Sequence, residues 1–169
     1  MRKISDTYSA VSAREELRKR FDSSSAALTR IEKLSDTCAC ALLVMMEGYT
    51  ITTTGYSVPA DYGVNRASAV IHTLEQAFFP VSNRRIETES DVGKKAYQSV
   101  FFITAEDREK MELNPEEVFL QCRHILSQKK WHREVQDMRR LLKELGPEGV
   151  RELLEQVAND SSGPEESAS

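Results

Sequence analysis

The uninterrupted apolar run from Cys38 to Met46 constrains the fold of this chain more than any other segment. It stops at Glu47-Gly48 and is far shorter than the ~20 residues that a membrane-spanning helix needs. A continuous apolar run of this length is typical of a strand that is buried on both faces. Glu47-Gly48 then predicts a tight turn, and the β-forming residues Tyr49–Thr54 predict a second strand. The sequence therefore predicts a hairpin here.

Helical patterns precede and follow this hairpin. Ser12-Ala-Arg-Glu15 has the form of a capping box, and the apolar spacing behind it predicts a helix that bends or breaks at Ser23–Ser25. Val64–Phe79 has the stripe of an amphipathic helix, closed by Pro80. Asn114-Pro115, followed by two acids, is the strongest helix start in the chain.

A second hairpin is predicted from Arg84–Glu89 and Tyr97–Thr104, joined by a loop at Ser90–Lys94. Together these elements predict an α+β fold, in which a small, mainly antiparallel sheet of two hairpins packs with helices and a helical C-terminal arm follows. The expected organisation is a flexible N-terminus (1–11), an α+β domain (12–128), the arm (129–158) and a disordered tail (159–169) of polar and small residues.

Composition narrows the function classes. The net charge is −4, and the first 85 residues hold 11 basic against 9 acidic side chains, so no global charge attracts nucleic acid or membrane. Three cysteines and no secretory signal predict reduced thiols, and therefore a cytoplasmic or nuclear protein that does not bind membranes.

No motif for catalysis, phosphate binding or metal binding is present. Cys38 and Cys40 would share one face of a strand, but two small core residues explain them better than a metal pair. Cys122 and His124 lie about 200° apart on a helix, and His132 is expected on the next one, so a zinc site is not predicted. We therefore expect no metal, no cofactor and no enzymatic activity.

The arm carries the main candidate binding surface. Apolar side chains recur along it at spacings of 4, 3, 4 and 3, which predicts one helix face over about two heptads. Two heptads are too short for a self-sufficient long coiled coil, so this face is expected to pack against the domain or against a partner helix. Tryptophan is a common interface anchor, which favours a protein partner, with a homo-oligomer such as a dimer as one form of it. The residues are Trp131, Val135, Met138, Leu142 and Leu145.

A nucleic-acid-associated regulator is the alternative. The stretch from Tyr62 to Glu75 resembles the turn and second helix of a helix-turn-helix, with Asn65, Arg66 and Ser68 placed to face bases or phosphates. The motif's first helix would have to use residues 52–59, which are poor helix formers. The arm supplies further cations, among them Lys129, Lys130, Arg133, Arg139 and Arg140.

One family likeness accompanies these patterns. The order of elements from Leu28 to Phe79, centred on Ala41-Leu-Leu-Val-Met-Met-Glu-Gly-Tyr-Thr-Ile-Thr52, resembles the roadblock (dynein light chain) family. That resemblance implies a small non-enzymatic scaffold that dimerises and docks GTPases or motor subunits. We expect a non-enzymatic interaction module, an adaptor or a subunit of a larger assembly.

Overall fold

The chain combines helices with one mixed sheet, which confirms the predicted α+β class. The computed structural model describes residues 2–55, 58–89 and 95–160, and the backbone only of residues 89 and 160. The helices are α1 Ala10–Arg20, α2 Ser25–Lys33, α3 Asp36–Met46, α4 Ala67–Gln76, α5 Ala105–Leu113 and α6 Pro115–Asp160. The strands are β1 Arg2–Lys3, β2 Ile51–Thr53, β3 Tyr62–Val64, β4 Ser82–Glu89 and β5 Lys95–Phe102.

The strands lie in the order β1-β3-β2-β5-β4. β3 is parallel to both β1 and β2, whereas β5 is antiparallel to both β2 and β4. The β4–β5 ladder, which runs from Ser82 opposite Phe102 to Glu89 opposite Lys95, confirms the predicted second hairpin. Its loop at 90–94 lies outside the described residues, and so does the predicted disordered tail from residue 161 onward.

The strand predicted for residues 38–46 is wrong, because this segment is helix α3. Ser35 caps the helix by accepting a hydrogen bond from the Cys38 backbone amide. Every residue from Cys38 to Met46 is buried, since α3 lies in the middle of the core and is surrounded on all sides. A helix enclosed in this way has no polar face, so its sequence has the same uniform apolar run as a buried strand.

Glu47-Gly48 ends helix α3 and does not form a hairpin turn. The Gly48 amide donates to the Met45 carbonyl, and the Tyr49 amide donates to the Val44 carbonyl, both at 3.1 Å. This pair of hydrogen bonds requires a residue with a left-handed backbone conformation at the helix end, and Gly48 has φ +93°. The segment that resembles the first hairpin of the roadblock family is therefore a helix, its cap and a short strand, and the likeness does not extend to this part of the fold.

The helix break predicted at Ser23–Ser25 is confirmed. α1 is capped by Ser9 and not by Ser12, and α2 is capped by Ser24, which accepts from the Ala27 amide. Arg14 joins the two helices, because its guanidinium donates to the carbonyls of Ile31 and Leu34. Residues 2–11, predicted to be flexible, include strand β1, a short 3-10 turn and the start of α1.

Most helix starts and stops of the second half follow the sequence, but the separate helix expected to carry His132 is wrong, because residues 115–145 form one continuous helix. The predicted amphipathic helix is α4, and Asn114 caps α6 by accepting from the Glu117 amide. Val118 and Phe119 of α6 are buried in the core. Gly146, with φ +72° and ψ +170°, interrupts α6, so its helical segments are 115–145 and 147–160. By compactness the chain divides into two units, 1–126 and 127–169.

Asp61 fixes the connections that lead into β2 and β3. Its Oδ2 accepts from the amide and from the hydroxyl of Thr50, each at 2.8 Å. These hydrogen bonds stabilise the carboxylate and hold the pKa of Asp61 below its usual value, and the bond from the Thr50 amide contributes most. A lowered folded-state pKa stabilises the fold above the unfolded pKa of about 3.9, and that stabilisation is lost as pH falls further.

We expect Asp61→Asn to lower the free energy of unfolding by about 1 kcal/mol near neutral pH, a modest value because the carboxylate is exposed. The difference from the wild type should shrink as pH falls below about 4, where the carboxyl group is protonated first in the unfolded state and at a lower pH in the folded state. Urea denaturation at several pH values measures both effects. The exposed Asp22→Asn serves as control, and an Asp61→Asn effect that is the same at low and neutral pH would refute the account.

Candidate functional site

An apolar seam runs along the arm, and its side chains are largely exposed. We use this name for Trp131, Val135, Met138, Leu142 and Leu145, which all belong to the 115–145 segment of α6. Trp131 is 60% exposed and Leu145 is 50% exposed, whereas core leucines such as Leu42 are fully buried. Met138 and Leu142 are also exposed, and Val135 is half-buried. The structure thus leaves open the face that the sequence analysis singled out.

Helix geometry places the five seam residues together. At about 100° per residue, they fall within an arc of about 80° on one side of the helix. Glu134 lies on one flank of this arc and Arg139 on the other, each about 70° from its centre. Both flanking side chains are exposed. The seam is therefore an apolar strip with one acid, Glu134, on one border and one base, Arg139, on the other; the half-buried Leu141 also lies on the Glu134 side.

A basic face lies on the opposite side of the same helix. It consists of Lys129, Arg133, Arg140 and Lys143, which share an arc of about 80° centred roughly opposite the seam. All four side chains are exposed. Arg140 is paired with Asp137 at 3.6 Å. The seam and the basic face can thus act independently, because a partner on one leaves the other accessible.

Two other predicted cations have different surroundings. Lys130 lies outside the basic face and pairs with Glu134 at 3.8 Å, a contact between exposed groups that is worth little. Arg139 takes part in none of the ion pairs found among the described residues. Its guanidinium is therefore available to a carboxylate from outside the chain.

The helix-turn-helix resemblance lacks its first helix. Residues 51–53 and 62–64 are strands, so nothing helical precedes α4 within the described part of this segment. Asn65 accepts a hydrogen bond from the Thr54 hydroxyl, and Arg66 takes a left-handed conformation with φ +53° before α4 begins. Asn65, Arg66 and Ser68 are exposed, but they lack the scaffold that inserts such residues into a DNA groove.

The cysteines and histidines of the described residues do not form a metal site. Across residues 2–55, 58–89 and 95–160, no group of three potential ligands comes together. Cys38 and Cys40 lie on a helix and not on one strand face, and both are buried. Burial, followed by the nearby Asp36 carboxylate, raises the pKa of the Cys40 thiol. This thiol is therefore protonated at neutral pH and is a poor nucleophile.

A cleft of about 750 Å³ lies at the carboxyl ends of the three parallel strands. Lys3, Thr54 and Asn65 line it from the sheet, and Asp36 and Cys40 line it from α3. This cleft does not follow from the predicted elements, because a strand is predicted for residues 38–46. Some of its polar groups are paired: Asp36 contacts Arg14 at 3.0 Å, and the Thr54 hydroxyl donates to Asn65.

Family models, curated proteins and solved structures were compared with the chain, and none of them matches it. Within the described residues, no helix is both long enough and apolar enough to cross a membrane. The candidate site therefore rests on the arm itself, on its exposed seam and on the charges that border it.

Proposed function

We propose that this protein is a non-enzymatic interaction module, an adaptor or a subunit of an assembly, that binds an amphipathic helix of a protein partner through the seam. The observation that carries the proposal is the exposure of Trp131, Met138, Leu142 and Leu145 in one strip. Exposed apolar side chains scattered singly are ordinary, but a strip at heptad spacing is the surface that helix pairing buries.

Two features add support. The seam lies on a helix that already exists in the isolated chain, so binding would not have to order its backbone. Its centre is free of charge, while Glu134 and Arg139 flank it, which agrees with the apolar core and polar rim of an interface. Segment 147–160 leaves the seam side chains exposed.

The basic face supports a second candidate function, that of a nucleic-acid-associated regulator. Its four cations extend over 15 residues of helix, so the first and the last lie about 21 Å apart along the axis at 1.5 Å per residue. A row of exposed cations on that scale can follow a phosphate backbone. Such binding would weaken steeply as salt is raised, whereas apolar helix pairing would not.

Affinity capture with the full chain, with and without nuclease, separates the two functions. We expect the captured proteins to survive nuclease and moderate salt, because the seam contact is apolar. They should also survive in a variant whose basic face is changed by Lys129→Ala, Arg133→Ala, Arg140→Ala and Lys143→Ala. Loss of the partners on nuclease treatment, and again in this variant, would reject the interaction module in favour of the regulator.

A further inference from the structure

We infer that the helix that covers the seam is the same seam of a second copy of this chain, aligned parallel and in register. This inference rests on the proposed function and names its partner. Three properties of residues 131–145 support it: the type of residue at each heptad position, the placement of the bordering charges, and the formed helix that carries them.

The residue types fit a two-stranded parallel pair. With Trp131 in a d position, Val135 and Leu142 occupy a, and Met138 and Leu145 occupy d. Valine at a and leucine at d favour two strands over three or four, and Val135 and Leu145 match that preference, whereas Leu142 at a does not contribute to it. In a parallel pair in register, each of these residues meets its own counterpart, so a single seam is self-complementary.

The charges at the borders of the seam fit a parallel pair of helices and not an antiparallel pair. Glu134 occupies the g position before Val135, and Arg139 occupies the e position after Met138. In a parallel pair, each g residue faces the e residue five positions later on the other helix, so Glu134 of each copy meets Arg139 of the other. In an antiparallel pair, e faces e and g faces g, and these opposite charges would not meet.

The state of the two charges agrees with this pairing. Arg139 belongs to no ion pair among the described residues, and the Lys130–Glu134 contact is long, at 3.8 Å between exposed groups. Forming the two intermolecular pairs would therefore sacrifice little within the chain. Because the seam spans only about two heptads, the association should depend on concentration.

A charge exchange tests the orientation and the partner together. Glu134→Arg alone would place four cations at the border of a parallel pair, and Arg139→Glu alone would place four carboxylates there. We expect each single change to weaken dimerisation about tenfold, and the double exchange E134R/R139E to restore it. Sedimentation of the full chain over a wide range of concentrations is the measurement. Arg133→Glu and Glu144→Arg, which lie away from the seam, are the matched controls and should dimerise like the wild type.

The orientation has an independent check. Leu142→Cys should form a disulfide between copies under mild oxidation, because identical a positions face each other in a parallel pair, whereas Arg133→Cys on the basic face should not. Both variants are made with Cys122 changed to Ser.

Failure of this inference is distinguishable from failure of the proposed function. A wild type that stays monomeric at every concentration overturns the self-pairing. The proposed function then still stands if captured proteins are lost on Met138→Glu with Leu142→Glu, and falls with it if they are retained. Dimers that form but ignore both single charge changes also overturn the parallel register.

Discussion

Replacing Leu42 with alanine is expected to lower the free energy of unfolding by about 3 kcal/mol. Leu42 is fully buried in the middle of α3, the helix that the rest of the first unit surrounds. Truncation removes apolar contacts and leaves a cavity that neighbours packed on all sides cannot fill. Urea denaturation followed by circular dichroism measures the change.

Leu113→Ala is the matched control for Leu42→Ala. Leu113 ends α5 and is 79% exposed, so the same truncation there should change the free energy of unfolding by less than about 0.5 kcal/mol. Equal effects at the two positions would mean that α3 is not the centre of the core. In that case the arrangement of helices and sheet described for residues 2–126 would be wrong.

The second large effect is expected on binding. Met138→Glu with Leu142→Glu should weaken dimerisation, and the capture of any protein bound through the seam, by at least about 100-fold. The two carboxylates would be buried without partners at the centre of the contact, which is costly. Because both side chains are exposed in the isolated chain, helicity and thermal midpoint should change little.

A control with the same change in net charge lies on the opposite side of the helix. Gln136→Glu with Lys143→Ala also makes the chain more negative by two charges, but it leaves the seam intact. We expect this control to bind and to dimerise like the wild type. If the seam variant keeps its helicity and also keeps its partners, the seam is not the binding surface.

The sequence predicted the second half of the fold better than the first. The β4–β5 hairpin has β-forming residues such as Val100–Phe102 beside a stretch that contains Gly93, and Asn114-Pro115 and Gly146-Pro147 carry local signals for the start and end of a helix, so these elements follow from short-range chemistry. α3 could not be identified by pattern, since a helix enclosed on every side shows no periodicity. The sequence feature that does indicate a helix here is Ser35-Asp36, an N-cap residue and an acid just before the apolar run Cys38–Met46.

The candidate seam was predictable for the same reason that α3 was not. The arm is a helix with one apolar and one charged side, so the spacing of the apolar residues from Trp131 to Leu145 predicts both the helix and its apolar face. The cleft beside Lys3 and Asn65 was not predictable, because it depends on β1 joining the sheet beside β3. That pairing joins segments about sixty residues apart in sequence, which no local pattern reports.

Trp131 provides the most direct test of the central claim, which is that the seam is open in the isolated chain and covered on binding. It is the single tryptophan of the protein and lies 60% exposed at one end of the seam, so the fluorescence of the unmodified chain reports this surface. At high dilution we predict emission typical of a solvated indole that iodide quenches readily. As the concentration rises, the emission should move to shorter wavelength and quenching should fall. The same emission and the same quenching at every concentration would contradict the account.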